Sequence, residues 1–249
     1  MKHLFFSLIA IFCLHTQDIQ FYRSSLDYPI LSLEEQMFKD VVELYNKKYK
    51  TNLRIIINKV PNVRLFLKEI NTPKHLYTAI MSSITITKER SKLYLFSVPY
   101  MPIKETIFAL RKETISYHWQ NKRVAFLLNS TEENSIKLLQ KRHPNIVPVA
   151  FNSFPEKLNS LSNGTADFLI SDNVAWLSFP NLVQIEDLDL HQHYSYGIIY
   201  SKGSPLKKML DPVIKYYILS SRFYDLLKKN YGKRVADYFT KNVKNVARR

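Results

Sequence analysis

Two kinds of hydrophobic pattern alternate along the chain. Short runs rich in Ile, Val, Phe and Tyr predict β-strands at residues 19–22, 53–57, 76–81, 168–170 and 194–200. Segments whose apolar residues recur every three or four positions predict helices between and after these runs. A chain in which strands and helices alternate in this way favours an α/β fold with helices layered on a sheet.

Local sequence marks where several helices begin and end. In a capping box, a Ser or Thr hydroxyl and a Glu carboxylate three residues later bond the free N–H groups of the first helical turn. This pattern occurs at residues 32–35, 130–133 and 153–156. A further helical stretch is predicted to start at residues 204–205, where proline in the first turn loses no hydrogen bond, and to pause at residues 231–232.

The first residues have the layout of a secretory signal peptide. A basic start with Lys2 precedes an apolar run at residues 4–14, which is shorter than the ~20 residues of a membrane-spanning helix. We therefore expect residues 1–16 to direct export to the periplasm; a buried N-terminal strand or helix is the alternative. Cys13, the single cysteine, follows Phe12 where a lipoprotein signal has a small residue, so a lipid anchor at Cys13 is not favoured.

Composition argues against several classes of protein. The 249 residues are 46% hydrophobic and 23% charged, which is typical of a globular chain. The four glycines form neither a GxGxxG nor a GxxxxGK[ST] loop, and no metal-ligand pattern joins the seven histidines, so no cofactor and no metal are expected. The net charge of +15 suits an anionic partner, but no nucleic-acid-binding motif accompanies it. We therefore expect no nucleic-acid partner, and a merely solvated basic surface is the simplest interpretation.

Residues 79–90 (AIMSSITITKER) carry the most specific chemistry. They predict a strand that ends in closely spaced hydroxyls, followed by a short helix that Thr87 caps and that bears Arg90. A planar guanidinium donates two parallel N–H bonds to a carboxylate, so Arg90 is a candidate for binding a small anion. The alternative is an ordinary surface strand beside an arginine.

With residues 96–100 (FSVPY), this stretch resembles the signature of the family 3 extracellular solute-binding proteins. These are type 2 periplasmic binding proteins that serve as receptors of polar amino acid ABC importers. Residues 158–172 resemble the family's leucine-containing helix, Gly-x-x-Asp turn, short strand and terminal Asp. Residues 123–132 and 203–232 supply further matches in the expected order, so the resemblance covers nearly all of the chain after the leader.

The resemblance implies that Arg90 binds the α-carboxylate of an amino acid. It also implies main-chain donors to that carboxylate near Thr85 and at the helix start formed by Ser130 and Thr131. Helix N-termini favour anions through their unpaired N–H groups and the helix dipole.

The resemblance places the α-ammonium beside Asp172 and an oxygen near Ser83 or Thr85. Ser82 and Ser83 match positions that line the pocket in the family, and Tyr28 is a candidate aromatic wall. No catalytic residue and no metal ligand are implied. The family's usual glycine is replaced by serine in this stretch, which leaves the clamp for the two charges intact but obscures which side chain is preferred.

Two of these acids have alternative roles. Asp172 is also a candidate N-cap for a helix at residues 173–178, and Asp167 is expected to be structural in the Gly-x-x-Asp turn.

The resemblance also implies an architecture: an α/β, two-lobed periplasmic-binding-protein-like fold (type 2), with two crossing strands and a ligand cleft between the lobes. Lobe 1 would comprise residues 18–107 plus 198–249, and lobe 2 residues 108–197, with crossings near 106–110 and 194–199. It implies a monomer that closes by a hinge motion on a small-molecule ligand, an amino acid or related zwitterion. The partner would be an ABC permease in the inner membrane.

A sensor is the first alternative function. Residues 170–173, 180–182 and 231–232 also resemble the binding domain of membrane-bound lytic transglycosylase F. The chain would then be a non-catalytic sensor or regulator in the cell envelope.

An enzyme is the second alternative. Some relatives of these receptors, such as cyclohexadienyl dehydratases, carry out chemistry in the same cleft. Glu132 or Glu133 with His118 or His143 would then serve as acid and base, although neither pairing has a diagnostic spacing.

Overall fold

The computed structural model describes residues 16–247, with gaps at 27, 62, 68, 111–117, 175–178, 180 and 188–193. The predicted signal peptide with Cys13 lies outside the described residues. Strands are formed by β1 Gln17–Ser24, β2 Leu53–Val60, β3 Thr78–Ile80, β4 Leu95–Phe96, β5 Met101–Ile103, β6 Glu105–Leu110, β7 Arg123–Leu127, β8 Val147–Phe151, β9 Phe168–Asp172, β10 Leu182–Asp187, β11 Tyr194–Tyr196 and β12 Ile199–Tyr200. Helices are formed by α1 Pro29–Tyr49, α2 Val63–Leu67, α3 Lys88–Leu93, α4 Glu132–Arg142, α5 Phe154–Ser162, α6 Leu206–Ile218, α7 Ser221–Tyr231 and α8 Lys233–Ala247, with a 3₁₀ turn at Pro73–His75.

The strands form two five-stranded sheets, one in each of two lobes. The first sheet has the order β2-β1-β3-β12-β4, with β1 parallel to β2 and β3 and with β12 antiparallel to β3 and β4. The second has the order β10-β6-β9-β7-β8, with β7 parallel to β8 and β9 and with β6 antiparallel to β9 and β10. The two-lobed α/β fold predicted from the sequence is therefore confirmed.

A two-stranded sheet lies between the lobes along the chain. Strands β5 and β11 pair antiparallel, with Tyr196 opposite Met101 and Tyr194 opposite Ile103. The next strand, β6, belongs to the second sheet, and β12 belongs to the first. The chain therefore changes sheet at β5 on its way out and at β11 on its way back.

Each sheet has helices on both faces. In the first lobe, apolar side chains of α1, α6, α7 and α8 form one core with β1, and a second core on the other face includes Ile70, Ile80 and Ile84. In the second lobe, α4 packs around Ile136 and Leu139 on one face, and α5 packs Leu161 on the other. This layering is what the alternating pattern predicts, because each sheet face needs an apolar cover.

The structure corrects one predicted helix start. α1 begins at Pro29, after Tyr28, so the pattern at residues 32–35 lies inside the helix. Proline fits the first helical position because its φ is pre-set and its missing N–H would have no partner there.

The other predicted starts agree with the structure to within one residue. Ser153 caps α5 by accepting a hydrogen bond from the Glu156 N–H at 3.4 Å, as predicted. At α4 the bond is shifted, since the Ser130 hydroxyl accepts from the Glu132 N–H at 3.2 Å.

The strand predicted at residues 194–200 is two short strands separated at Gly197. A Cβ at this position would lie 2.7 Å from Cδ1 of Ile86, so a larger residue here would displace the Ile86 side chain.

Among the described residues, no helix has the length and hydrophobicity needed to cross a membrane.

Candidate functional site

A cavity of about 420 Å³ lies between the two lobes. Its walls come from segments that follow the carboxyl ends of β1 and β3 in the first lobe and of β7, β8 and β9 in the second. Ligands of open α/β sheets bind at these ends. All eight residues predicted from the sequence line the cavity: Tyr28, Ser82, Ser83, Thr85, Arg90, Ser130, Thr131 and Asp172.

Arg90 is positioned by the short helix α3. The hydroxyl of Thr87 accepts a hydrogen bond from the Arg90 N–H at 3.2 Å, which confirms the predicted cap. The guanidinium turns back and donates from Nη1 to the carbonyl oxygen of Thr85 at 3.0 Å. The charged group is thus held at the segment of hydroxyl residues that follows β3.

The backbone of Thr85 faces the same side as Arg90. Its neighbours Ile84 and Ile86 bond the β11 segment, through the Ile84 carbonyl to Gly197 and the Ile86 N–H to Ser195. Residues between such bonds in an antiparallel pair direct their own N–H and C=O away from the partner strand. Since the Thr85 carbonyl accepts from Arg90, the Thr85 N–H and the guanidinium lie on one side and can bind one anion together.

Asp172 lies at the end of β9 in the opposite lobe. Its carboxylate accepts a hydrogen bond from the Tyr196 hydroxyl, and it lines the same cavity as Arg90. Burial raises the pKa of Asp172 to about 6; the Tyr196 bond and the positive charges of Lys157 and Arg90 limit the rise. At neutral pH the cavity therefore presents a carboxylate and a guanidinium, and the positive charge of the guanidinium lowers the pKa of the carboxyl.

Two further carboxyl groups lie close to Asp172. Glu105 is its cross-strand neighbour in the β6–β9 pair, is 1% exposed, and accepts a hydrogen bond from the Ser135 hydroxyl. Burial and the charge of Asp172 raise the pKa of Glu105 to about 8, so this group is largely protonated at neutral pH. Glu132, the third, also raises the pKa of Asp172.

A fully buried lysine compensates this acidic cluster. Lys157 on α5 donates to Oε1 of Glu132 at 2.6 Å and to the carbonyl of Ile170 at 2.7 Å. The other carboxylate oxygen of Glu132 accepts from the Leu127 N–H at 2.7 Å. The ammonium also lies 5.0 Å from the ring centroid of Phe154. These bonds compensate both buried charges, and they connect β7, β9, α4 and α5 beneath the cavity.

Ser130 and Thr131 hold the loop before α4. The Ser130 hydroxyl donates to the Leu127 carbonyl at 2.6 Å, and the Thr131 side chain lowers the pKa of the Glu105 carboxyl. Both residues line the cavity, and their side-chain groups support its wall.

Ser82 and Ser83 are anchored to the first lobe. The Ser82 hydroxyl accepts from the Ser24 N–H at 3.4 Å. Ser83 has a left-handed φ of 51°, and its N–H donates to both carboxylate oxygens of Glu34 at 3.0 Å. Burial raises the pKa of Glu34 to about 7, and hydrogen bonds from Tyr100 and Ser83 restrain the rise. A buried carboxyl on α1 therefore fixes the turn that leads to Thr85.

Tyr28 contacts the opposite lobe. Its ring meets Phe154 at 5.4 Å and Phe179 at 5.7 Å, both edge to face, and the two phenylalanines lie 5.5 Å apart. We refer to Tyr28, Phe154 and Phe179 as the aromatic triad. It joins the start of α1 to the second lobe across the cleft.

The acids and bases of the enzyme alternative are not brought together in the cavity. Glu132 lines it, but Glu133, His118 and His143 are not among the described lining residues. Glu133 accepts from the Asn129 N–H at 2.5 Å, and the ring of His143 stacks on a tryptophan. Within the described part of the chain, no group of three or more His, Cys, Asp and Glu side chains is arranged to hold a metal ion.

Asp167 has the structural role expected of it. Its carboxylate accepts from the backbone N–H of Arg123 at 2.8 Å and from the guanidinium Nε at 3.1 Å. Asp172 bonds Tyr196, while most of the helix that it was alternatively predicted to cap lies outside the described residues.

The comparisons with known proteins agree with the fold. No protein-family model matches the chain. The chain is 29% identical over 129 residues to ABC transporter arginine-binding protein 1 of Escherichia coli (strain K12), covering 49% of this chain and 51% of that protein. It is 27% identical over 163 residues to amino-acid-binding protein AabA of Dichelobacter nodosus, covering 62% of this chain and 64% of that protein. The matched region thus spans between half and two thirds of the length of these curated relatives.

Solved structures resemble nearly the whole chain. The probable amino-acid ABC transporter extracellular-binding protein ytmK from Bacillus subtilis superposes with a TM-score of 0.70 at 18% identity, covering 88% of this chain and 99% of that one. The ancestral amino acid-binding protein AncCDT-1, a precursor of cyclohexadienyl dehydratase, gives a TM-score of 0.64 at 20% identity, covering 86% and 95%. The predicted resemblance is confirmed: this chain has the two-lobed fold of the solute-binding proteins of amino acid ABC importers and resembles curated amino-acid-binding proteins in sequence.

Proposed function

We propose that this protein is an exported solute-binding protein that captures a small zwitterion, an amino acid, between its lobes and delivers it to an ABC permease. One observation carries the proposal: Arg90 and Asp172 line a single cavity from opposite lobes, with opposite charges. A free amino acid carries both complementary charges at one end.

The carboxylate of the ligand binds Arg90 and the N–H of Thr85. The guanidinium accommodates two carboxylate oxygens in its plane, and charge-assisted bonds of this kind contribute about 1.5–3 kcal/mol each. The ammonium binds Asp172, whose carboxylate is oriented by Tyr196. With one charged group on each lobe, the ligand stabilises the closed arrangement more than the open one, so binding favours closure.

The delivery step and the location extend this proposal. Residues 1–16 direct export to the periplasm, and the two lobes move as units in a monomer. The predicted lobes are residues 18–107 with 198–249 and residues 108–197, but that first boundary falls inside β6, all of which pairs in the second sheet, so we place the first crossing before Glu105. The permease partner and the non-enzymatic role are supported by the resemblance to the two curated relatives. Both are amino-acid-binding proteins, and one of them belongs to an ABC transporter.

A thermal-shift screen tests the proposal. The common amino acids, small peptides and muropeptides are added to the purified protein, because a ligand that binds only the folded state raises its melting temperature by mass action. We expect at least one amino acid to stabilise the wild type and to lose this effect with Arg90→Ala. Lys92→Ala, which removes an exposed cation on the same helix, serves as the control and retains the shift.

Two results would overturn the proposal. A full shift with Arg90→Ala would mean that the carboxylate binds elsewhere. Stabilisation by muropeptides alone would favour the sensor related to the binding domain of lytic transglycosylase F.

A further inference from the structure

We propose that the cleft selects amino acids with an uncharged, apolar side chain, and that the aromatic triad is the site for that side chain. This inference rests on the proposed function and adds the class of ligand. It concerns the part of the cavity that the α-carboxylate and the α-ammonium of the ligand do not occupy.

Four polar residues of the cavity form one connected cluster: Arg90, Thr85, Tyr196 and Asp172. Arg90 bonds Thr85, the Thr85 segment pairs with Tyr196, and Tyr196 bonds Asp172. The head of an amino acid occupies this cluster, since both of its charges find their partners there.

The rest of the lining combines an apolar part with uncharged polar residues. Besides the aromatic triad, the apolar part includes Leu26, Leu31, Pro61, Val63, Leu67 and Val174. The uncharged polar residues are Ser24, Ser82, Ser83, Ser130, Thr131, Asn152, Ser153 and Ser171. The cavity volume of about 420 Å³ equals that of ~14 water molecules, which leaves space beyond the head group. A side chain that enters this space contacts hydrocarbon and ring surface.

The triad and the proposed ammonium-binding carboxylate line the same cavity. The ammonium of Lys157 lies 5.0 Å from the ring centroid of Phe154, and Lys157 also bonds the carbonyl of Ile170, two residues before Asp172 in β9. A ligand whose ammonium binds Asp172 can therefore direct its side chain within this cavity toward Phe154.

A cationic side chain is disfavoured for two reasons. The described lining residues include two acids; Asp172 serves the ammonium, while Glu132 is bonded to Lys157 and to the Leu127 N–H. In addition, the buried ammonium of Lys157 already lies against Phe154 and repels a second cation at the triad. Asp27 lies outside the described residues, so the lysine and arginine arms of the experiment below also test its carboxylate.

An anionic side chain is disfavoured because the triad offers it only the Tyr28 hydroxyl, and the adjacent lining residues Asn152 and Ser153 are uncharged. A charge moved from water into such surroundings must be paired, and Lys157, whose ammonium lies 5.0 Å from the ring centroid of Phe154, is already bonded to Glu132 and Ile170. An apolar side chain meets neither penalty and gains from leaving water.

Calorimetric titration with individual amino acids tests the inference. The probes are L-phenylalanine, L-leucine and L-methionine against L-arginine, L-lysine and L-glutamate. We expect the best apolar probe to bind at least tenfold tighter than any charged one. Tighter binding of a charged probe would overturn the inference but leave the proposed function intact, whereas no binding of any amino acid would contradict the function itself.

Variants locate the side-chain site. Phe179→Ala is expected to weaken L-phenylalanine binding by about 10-fold to 100-fold while changing L-alanine binding by less than threefold, because the alanine methyl does not reach the triad. Phe179→Leu, which keeps an apolar wall, retains most of the affinity for L-leucine. The matched control is Tyr216→Ala, which removes an aromatic ring that is 67% exposed on α6. Equal losses for both ligands in Phe179→Ala, or none for L-phenylalanine, would overturn the assignment of the triad.

Discussion

Ser83 adopts a backbone conformation that glycine adopts more readily. Its φ of 51° places it in the left-handed region, which costs a residue with a Cβ about 1–2 kcal/mol. The carboxylate of Glu34 stabilises this conformation by accepting the Ser83 N–H with both oxygens, and it also accepts the hydroxyl of Tyr100. The position of the segment that carries Thr85 therefore depends on one buried carboxyl group.

Replacing Glu34 tests this dependence. Glu34→Ala leaves the Ser83 N–H and the Tyr100 hydroxyl without their acceptor, and each such buried group costs about 1–3 kcal/mol. We expect the free energy of unfolding in urea at pH 6 to fall by at least about 2 kcal/mol, together with weaker ligand binding. Glu43→Ala, on the exposed side of α1, is the control and changes stability by less than about 1 kcal/mol. If Glu34→Ala is as stable as the wild type, the turn at Ser83 does not depend on Glu34, which would contradict this account.

Several site residues could be predicted from sequence, but their supporting groups could not. Spacing alone predicts the Thr87 cap, which the structure confirms, whereas the resemblance to the family selects Arg90 as the carboxylate-binding residue. Glu34 and Lys157 lie among the apolar positions of α1 and α5, and a charged residue on a buried helix face was the available signal. Their partners come from distant segments, which no local pattern specifies.

At the scale of elements, helix α5 does two things at once. Its first residue, Phe154, belongs to the aromatic triad, and Lys157 one turn later forms the buried pair with Glu132 at the start of α4. The helix thereby links the cavity wall to the sheet below it. A buried pair of this kind adds little net stability by itself, but removing one partner leaves the other charge uncompensated.

A double-mutant cycle measures that coupling. Lys157→Met is expected to lower the free energy of unfolding by about 3–5 kcal/mol, because Glu132 is left charged and buried. Adding Glu132→Gln removes the charge and should restore at least half of the loss, as measured by urea denaturation. Lys137→Met, on the exposed side of α4, controls for the loss of a lysine. Simple additivity of Lys157→Met and Glu132→Gln would contradict the pairing.

Element boundaries show where local sequence is insufficient. The capping pattern at residues 32–35 predicts a start that the structure places at Pro29, because the proline before it extends the helix. The strand predicted at residues 194–200 divides at Gly197, where Ile86 from another segment approaches. In both cases the residue or contact that sets the boundary lies outside the local sequence pattern.

At the scale of the whole molecule, two tyrosines of the linking segments each contact a different lobe. Tyr100, just before β5, donates to Glu34 in the first lobe, whereas Tyr196 in β11 donates to Asp172 in the second. Their ring centroids are 6.4 Å apart. The linking segments therefore hydrogen-bond one acid in each lobe, Glu34 in the first and Asp172 in the second.

The buried acids predict how stability changes with pH. Burial raises the pKa of Glu34 to about 7, of Asp172 to about 6 and of Glu105 to about 8. A raised carboxyl pKa means that the folded state binds protons more tightly than the unfolded state. The stability that such a carboxyl contributes is fully present below about pH 4 and is lost as the pH rises through its pKa in the folded state.

We therefore expect the ligand-free protein to lose stability between about pH 5 and pH 8.5. The opposing carboxyls with lowered pKa, Glu35 and Asp167, act at lower pH. Glu105→Gln should flatten this dependence, and melting temperatures of both proteins at pH 5.5, 7 and 8.5 measure the difference. Parallel pH profiles would contradict the assignment to Glu105.

The central claim is that one ligand is held by its carboxylate at Arg90 and by its ammonium at Asp172. The most direct measurement is calorimetric titration of the wild type, Arg90→Ala and Asp172→Asn with the preferred amino acid, its amide and its deaminated acid. The account predicts that Arg90→Ala weakens the amino acid at least tenfold but barely affects the amide, and that Asp172→Asn weakens the amino acid but barely affects the deaminated acid. Equal losses across all three ligands would contradict it.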